Sequence, residues 1–341
     1  MKKLNLLAIL SLSFVTVFIG STILSTDVSA VAAINSNNGQ ALEIAPPVMN
    51  LTANPGQTIT AQVSLRDISG GKLVVTGEIN DFIAGGEDGT PKIILDDTTE
   101  SPYSIKSWIS PLPELRLDPK QIKNLPITIT VPANAAPGGY YGTIRFTGVP
   151  PELKGTGVSL SASLGALILL RVNGTAKENL SIQEFSVNNN RGGKANTIFE
   201  AAPLQFVVRL KNNGNIHEQP VGQIAITDMF NKKIAAMNVN LSSKNVLPSS
   251  IREFNQTLDK SVIGNRILFG RYTAKLNMTY GSNKEVITKT ISFWVIPYTM
   301  IAIGIAVLIA GFIGLKTLIK RYNSFIINKA QKTKSKSKKR K

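Results

Sequence analysis

A chain of 341 residues with 38 Lys and Arg against 21 Asp and Glu carries a formal net charge of +17; it has no cysteine and one histidine. That composition excludes disulfide staples, thiol catalysis and thiolate metal sites, and a single histidine leaves too few preferred ligands for zinc. The charge is unevenly spread. Without the 11 basic residues from Lys316 onward, and without Lys2, Lys3 and Asp27, 25 basic and 20 acidic residues remain, a balance of +5, so nucleic acid is not the implied partner.

Lys2 and Lys3 precede an apolar run from Leu4 to Leu24 and the small residues Val28-Ser29-Ala30. This pattern predicts a secretory signal peptide over 1–30, with retention as an uncleaved anchor the alternative. A small, polar lead-in over 31–40 follows. The first strong strand is Thr58–Leu65, where Ile59, Ala61, Val63 and Leu65 alternate with polar residues. Lys72–Ile79 is expected to pair with it across the turn Asp67–Gly71. Asp81–Thr90 reads as a loop, and Ile93–Leu95, Leu125–Val131, Tyr140–Thr147 and Val158–Val172 read as further strands. Short strands with turns every 8–12 residues and no helical periodicity indicate an antiparallel sandwich.

Asn173–Lys177 marks a boundary. Beyond it Leu180–Val187, Gly222–Thr227, Lys233–Val239, Arg252–Leu258, Arg271–Tyr280 and Glu285–Trp294 read as strands, as does the segment holding Phe206, Val208 and Leu210. The two halves echo one another. Gly138-Gly139-Tyr140 and Gly270-Arg271-Tyr272 each head a strand with apolar residues at matching offsets. Upstream, Pro119-Lys120-Gln121-Ile122-Lys123 matches Pro248-Ser249-Ser250-Ile251-Arg252. A duplicated sandwich topology is predicted, with the shared glycine and tyrosine marking a structural corner.

No charge interrupts Ser292–Leu315, which is long enough as a helix to cross about 30 Å of hydrocarbon. Pro297 suits a first helical turn, and Phe293, Trp294 and Tyr298 resemble an interfacial belt. The predicted class is all-β: two tandem immunoglobulin-like β-sandwich domains (41–175 and 176–292), one C-terminal transmembrane helix (293–315) and a basic cytoplasmic tail (316–341). The tail suits anionic inner-leaflet lipid, and the domains are expected outside the membrane.

Catalytic signals are weak, and neither a catalytic residue nor a cofactor is predicted. His217 lies in the polar turn KNNGNIHEQP and reads as solvated, with no G-x-S-x-G elbow in the chain. Glu87, Asp88, Asp96, Asp97 and Glu100 do not follow a calcium-loop spacing and read as loop charges. Glu114 and Asp118 are acids at ordinary density, not a marked glycosidase pair. The candidate binding residues are aromatic: Tyr103 and Trp108 in the proline-punctuated segment SPYSIKSWISPLP, and the adjacent Tyr140 and Tyr141, one of which must leave the core face.

The segment LRLDPKQIKNLPITITVPANAAPGGYYGTIRF, with the overall order of signal, sandwiches, span and basic tail, resembles the WxL-interacting protein family of Gram-positive surfaces. The motif covers Leu115–Phe146 and is similar to the end of that family's peptidoglycan-binding domain. The second half, with NNGNIHEQPVGQIAITDMF, is closer to generic immunoglobulin-like surface modules. The resemblance implies peptidoglycan, a partner surface protein and host matrix as ligands, and assigns no single residue. The expectation is a non-enzymatic, single-pass surface protein binding cell-wall polymer, a secreted or surface protein, or both. The alternative is an assembly or secretion accessory that holds exported proteins near the membrane.

Overall fold

The computed structural model describes residues 41–96, 101–150, 162–189 and 194–338. The expected signal peptide and lead-in, and Asp97 and Glu100, lie outside the described residues. The first sandwich comprises β1 (Leu42–Ala45), β2 (Val48–Ala53), β3 (Thr58–Asp67), β4 (Leu73–Ala84), β5 (Pro91–Ile94), β6 (Leu115–Leu117), β7 (Ile122–Thr130), β8 (Gly138–Val149) and β9 (Ala162–Val172). The second comprises β10 (Leu180–Asn189), β11 (Ile198–Phe199), β12 (Leu204–Asn212), β13 (Val221–Asp228), β14 (Lys233–Val239), β15 (Ile251–Leu258), a short helix α1 (Lys260–Ile263), β16 (Gly270–Tyr280) and β17 (Glu285–Val295). A long helix, α2, runs over Tyr298–Lys338. The architecture is two tandem immunoglobulin-like β-sandwiches followed by that helix.

The duplication is visible strand by strand. One sheet of the first sandwich has the order β1-β3-β7, and its counterpart is β10-β12-β15. The other sheet has the order β2-β9-β8-β4-β5, matched by β11-β17-β16-β13-β14. In both, the pairing with the last strand (β2 to β9, β11 to β17) is parallel. The echoed sequences do the same structural job in each half. Lys120 and Ser249 both hold positive φ (63° and 59°), each behind a proline. Their turns are closed by Gln121 N–H to Asp118 O (2.9 Å) and Ser250 N–H to Leu247 O (3.2 Å). Proline followed by a left-handed residue is the requirement of a type II turn. At the tyrosines, Tyr140 Oη donates to Ala136 O (3.0 Å) and Tyr272 Oη to Phe269 O (3.3 Å), a corner bond back to the chain just upstream.

Each sandwich closes on its own apolar core. The first centres on Val63, Leu65, Ile127, Ile144, Phe146 and Ile168, all fully buried. In the second, Phe293 packs edge-on against Phe206 (ring centroids 5.7 Å) and stacks on Tyr272 (5.7 Å). Removing a ring such as Phe206 costs about 3–5 kcal/mol, because the surroundings cannot collapse into the void.

Three expectations need correction. β3 and β4 do not form a hairpin: β3 pairs with β1 and β7, and β4 lies in the opposite sheet beside β8. The buried Asp67 carboxylate accepts from Ser69 N–H (2.7 Å), turning the chain over the core instead of back along β3. The apolar stretch is also not one helix from Phe293. β17 continues to Val295, pinned by pairing with β16 and β11, so Phe293 is core and Trp294 is on a sheet face. α2 starts only at Tyr298, with Pro297 O accepting from Ile301 N–H (3.0 Å), and continues to Lys338, through most of the basic tail. Its segment Tyr298–Asn328 is long and apolar enough to cross a membrane. β1, β2, β6, β11 and α1 lie outside the predicted elements: β1, β6, β11 and α1 have four residues or fewer, and β2 (VMNLTA) lacks strict alternation.

Candidate functional site

The four aromatic candidates fall into two groups on opposite faces of the sheet that contains β8. Trp108, in a 3-10 turn over Lys106–Trp108, and Tyr140 are half-buried and pack on the main core. Their rings meet at 4.5 Å between centroids, tilted by 44°. Tyr141, next along β8, points the other way and is buried with Phe82, Leu169, Tyr103 and Leu247. Tyr103 and Phe82 approach its ring edge-on at 6.1 and 6.2 Å. Leu247 belongs to the second sandwich, so Tyr141 lies at the junction of the two.

His217 completes that junction, contrary to the expectation of a solvated turn. Its ring meets Tyr141 edge-on at 5.7 Å, with Tyr141 Oη 3.3 Å from Nδ1. The physical reason is Asn212. Its side chain bonds Ile216 O (2.7 Å), Val246 O (2.9 Å) and Gly214 N–H (2.8 Å), folding the polar turn inward. Ile216 and Glu218 become buried, and His217 is pressed against Tyr141. Burial, with Arg171 nearby, lowers the imidazole pKa to about 4. Burial also raises the Tyr141 hydroxyl, and lifts the Glu218 carboxyl to about 7, with Glu178 adding to the rise.

Backbone bonds seal the contact. Gly139 N–H donates to Asn215 O (2.8 Å), and Asn215 Nδ2 donates to Pro137 O (2.9 Å). A Cβ at Gly139 would lie 2.0 Å from Tyr141 Oη, so the close approach requires glycine. Arg171 of β9 reaches Glu178 (3.1 Å) and Ser282 (2.8 Å).

A second, charged contact lies away from the first. The loop after β4 brings Glu87 to Arg209 on β12, with Arg209 Nε to Glu87 Oε2 at 2.7 Å and Nη1 to Glu184 at 3.1 Å. Glu253 N–H donates to Glu87 O (2.7 Å), and Arg252 to Asp88 O (3.1 Å). A cleft of about 570 Å³ opens here, lined by Glu87, Asp88, Lys244, Glu253 and Asn255 among others. Asp88 binds Thr90 of its own loop, which lowers its carboxyl pKa. Of the acids considered for calcium or sugar chemistry, Glu87 pairs with Arg209, Asp118 with Lys72 (3.2 Å) and Glu114 with Arg116 (3.7 Å). Among the described residues no cluster of three or more histidine or acidic groups is placed to hold a metal.

Sequence reasoning missed a different feature, the open flank of β9. β2 pairs with β9 only from Leu167 to Val172, whereas β8 pairs with it from Ala162 to Val172. Along Ala162–Ala166 the edge away from β8 has no hydrogen-bonded partner strand among the described residues; β1 lies near β9 but pairs with β3. Leu164 pairs in register with the buried Phe146 and so lies on the core side of the sheet. It is nevertheless 40% exposed. The period-2 pattern of this strand was legible, but where its partner strand stops was not.

No protein-family model matches this chain, and no curated protein matches it. Among solved structures, it is similar to the class 5 fimbriae chaperone CfaA (18% identity, TM-score 0.38, covering 73% of this chain and 98% of that one). It is also similar to the YadV chaperone (12%, TM-score 0.34, 74% and 99%). A third is the Salmonella enterica SafA pilin–SafB chaperone complex (13%, TM-score 0.34, 74% and 96%).

Proposed function

We propose that this chain is a non-enzymatic, membrane-anchored surface protein whose exported first sandwich binds a secreted or surface protein by strand addition. The observation that carries the reading is that β9 has no partner strand along one edge over Ala162–Ala166 among the described residues. Five extended residues span about 16 Å, enough for a short ladder of backbone bonds to an added strand. Leu164 supplies an apolar side chain that such a strand would cover. Exposed edges of this kind are normally blunted or paired, since each is a template for another chain. On this reading α2 crosses the membrane, the sandwiches are outside, and the lysine-rich tail is cytoplasmic on anionic lipid. The non-enzymatic part is supported by the sole histidine, which is held between the sandwiches against a tyrosine.

A wall-polymer reading, in line with the resemblance to WxL-interacting proteins, is supported by the half-exposed Trp108 beside Tyr140. The junction aromatics Tyr103 and Tyr141 give it no support, being engaged between the sandwiches.

The test is capture of secreted proteins by the full chain in nanodiscs, with hydrogen exchange on the complex. Binding should protect the amides of 162–166, and Leu164→Lys should abolish capture while leaving the melting temperature within a few degrees. Retention by purified cell-wall sacculi with no protection of 162–166 would overturn strand addition and favour wall binding.

A further inference from the structure

The end of the second sandwich farthest from the first is apolar in a way its core does not require. β13 and β17 end there, and β14 and β16 begin there: Asp228 pairs with Tyr272, Thr227 with Lys233, and Gly270 with Val295. β11 joins the same end, Ile198 pairing with Trp294. The topology therefore gathers Met229, Phe230, Ile267, Phe269, Ile198 and Trp294 around one tip, and all six are exposed, Phe230 at 82% and Phe269 at 62%. Exposed apolar groups scattered singly are ordinary, but six brought to one end of a sandwich mark a contact surface.

The loops that carry the cluster are held in place. The Asp228 carboxylate accepts from the N–H groups of Phe230 and Lys232, both at 2.9 Å, closing the β13–β14 turn. Phe269 N–H donates to Tyr272 Oη (3.0 Å), and the neighbouring Leu268 is buried, so Ile267 and Phe269 are presented outward. The rim is basic, with Lys232, Lys233, Arg266 and Arg271 all exposed. The nearby acids are occupied locally: Asp228 by its turn, Asp259 by the α1 cap at Ser261, and Glu200 by Thr299.

What lies against this tip is indicated by where α2 begins. Only Ile296 and Pro297 separate β17 from the helix, a reach of about 7 Å. The exit is also tied to the sandwich, with Trp294 N–H bonding Thr197 O (2.7 Å) and Ile296 N–H bonding Phe199 O (2.8 Å). If Tyr298 enters the bilayer, the tip is held at the lipid headgroups.

We infer that this tip is a lipid-docking surface: Phe230, Phe269, Ile267 and Trp294 insert into the membrane interface, and the basic rim meets lipid phosphates. The inference rests on the reading of α2 as a membrane span, and adds that the second sandwich is seated on the bilayer instead of swinging from it. Aromatic and aliphatic side chains at the headgroup boundary, flanked by Lys and Arg, are the composition that favours this position.

The absence of cysteine makes the test direct. Single substitutions Phe230→Cys, Phe269→Cys, Leu241→Cys and Leu308→Cys are nitroxide-labelled in the full chain. Each is reconstituted in nanodiscs of phosphatidylcholine and phosphatidylglycerol. Relative accessibility to oxygen and to a water-soluble nickel complex reports depth. Leu241 lies just after β14, at the opposite end of the sandwich, and should read as aqueous. Labels at 230 and 269 should give an oxygen-to-nickel ratio several-fold above that at 241, and the label at 308 a higher ratio still. An aqueous reading at 230 and 269 with 308 in hydrocarbon overturns the docking surface and leaves the span standing. An aqueous reading at 308 overturns both.

Discussion

Glu218 offers a sharp check on the junction between the sandwiches. It is 4% exposed, its Oε1 has no hydrogen-bond partner, and its neighbours include His217, Glu178, Glu285 and Arg171. Burial first, then Glu178 and Glu285, push its carboxyl from 4.5 to about 7, while Gly281 N–H and Arg171 pull the other way. The raised value has a definite sign. Below pH 4.5 both folded and unfolded chains hold the proton. Between 4.5 and 7 the unfolded chain releases it while the native chain keeps it, so stability falls as pH rises. That separation corresponds to about 3 kcal/mol, fully lost above pH 7.

Glu218→Gln keeps the shape and removes the charge. At pH 4 the variant and the parent should be equally stable. At pH 8 the variant should be more stable by about 3 kcal/mol, or about 6–12 °C in melting temperature. His217 works in the opposite direction: held neutral down to about pH 4, it makes stability rise between pH 4 and 6.5. The two effects offset one another in the parent between 4.5 and 6.5, so the variant alone should gain stability across that range. Calorimetric or near-ultraviolet dichroism melts of the full chain in detergent, at pH 4, 6 and 8, measure both effects. A pH-independent difference between the proteins, or a variant less stable at pH 8, would refute a buried, under-partnered carboxylate at this position.

Gly139→Ala should cost about 2–3 kcal/mol and speed protease cleavage within Asn173–Lys177, because the new Cβ collides with Tyr141 and forces the junction open. Gly71→Ala, with nothing within 4 Å of the new Cβ, should change stability by less than about 0.5 kcal/mol; equal effects at the two positions would remove the close-approach argument. In urea denaturation Tyr141→Ala should cost about 3–5 kcal/mol and Trp108→Ala clearly less, since the first is buried and the second half-exposed; the reverse order would place the junction elsewhere.

Much of this protein is written in local sequence. The alternation of Arg271–Tyr280 and of Lys233–Val239 fixes strands and their core faces, since a period of two needs no knowledge of the partner. The Pro119–Lys123 and Pro248–Arg252 echoes pointed to a duplicated topology, and the structure adds that each is a turn in which a left-handed residue follows the proline. The charge-free run to Leu315 and the lysines beyond it likewise report composition against a solvent.

Pairing across long separations was decided only by the tertiary structure. Local pattern could not say that β3 and β4 enter different sheets, or that β17 holds Phe293 and Trp294 as strand before the helix begins. His217 looks solvated among Asn and Gln until Asn212 folds its turn, and until Tyr141, 76 residues earlier, comes to lie against it. Among the described residues β9 is unpaired along one edge because β2 pairs with it only from Leu167 onward, and the apolar tip exists because five strand ends meet. Each is a sum over distant segments, and burial, unlike periodicity, belongs to no single stretch of chain.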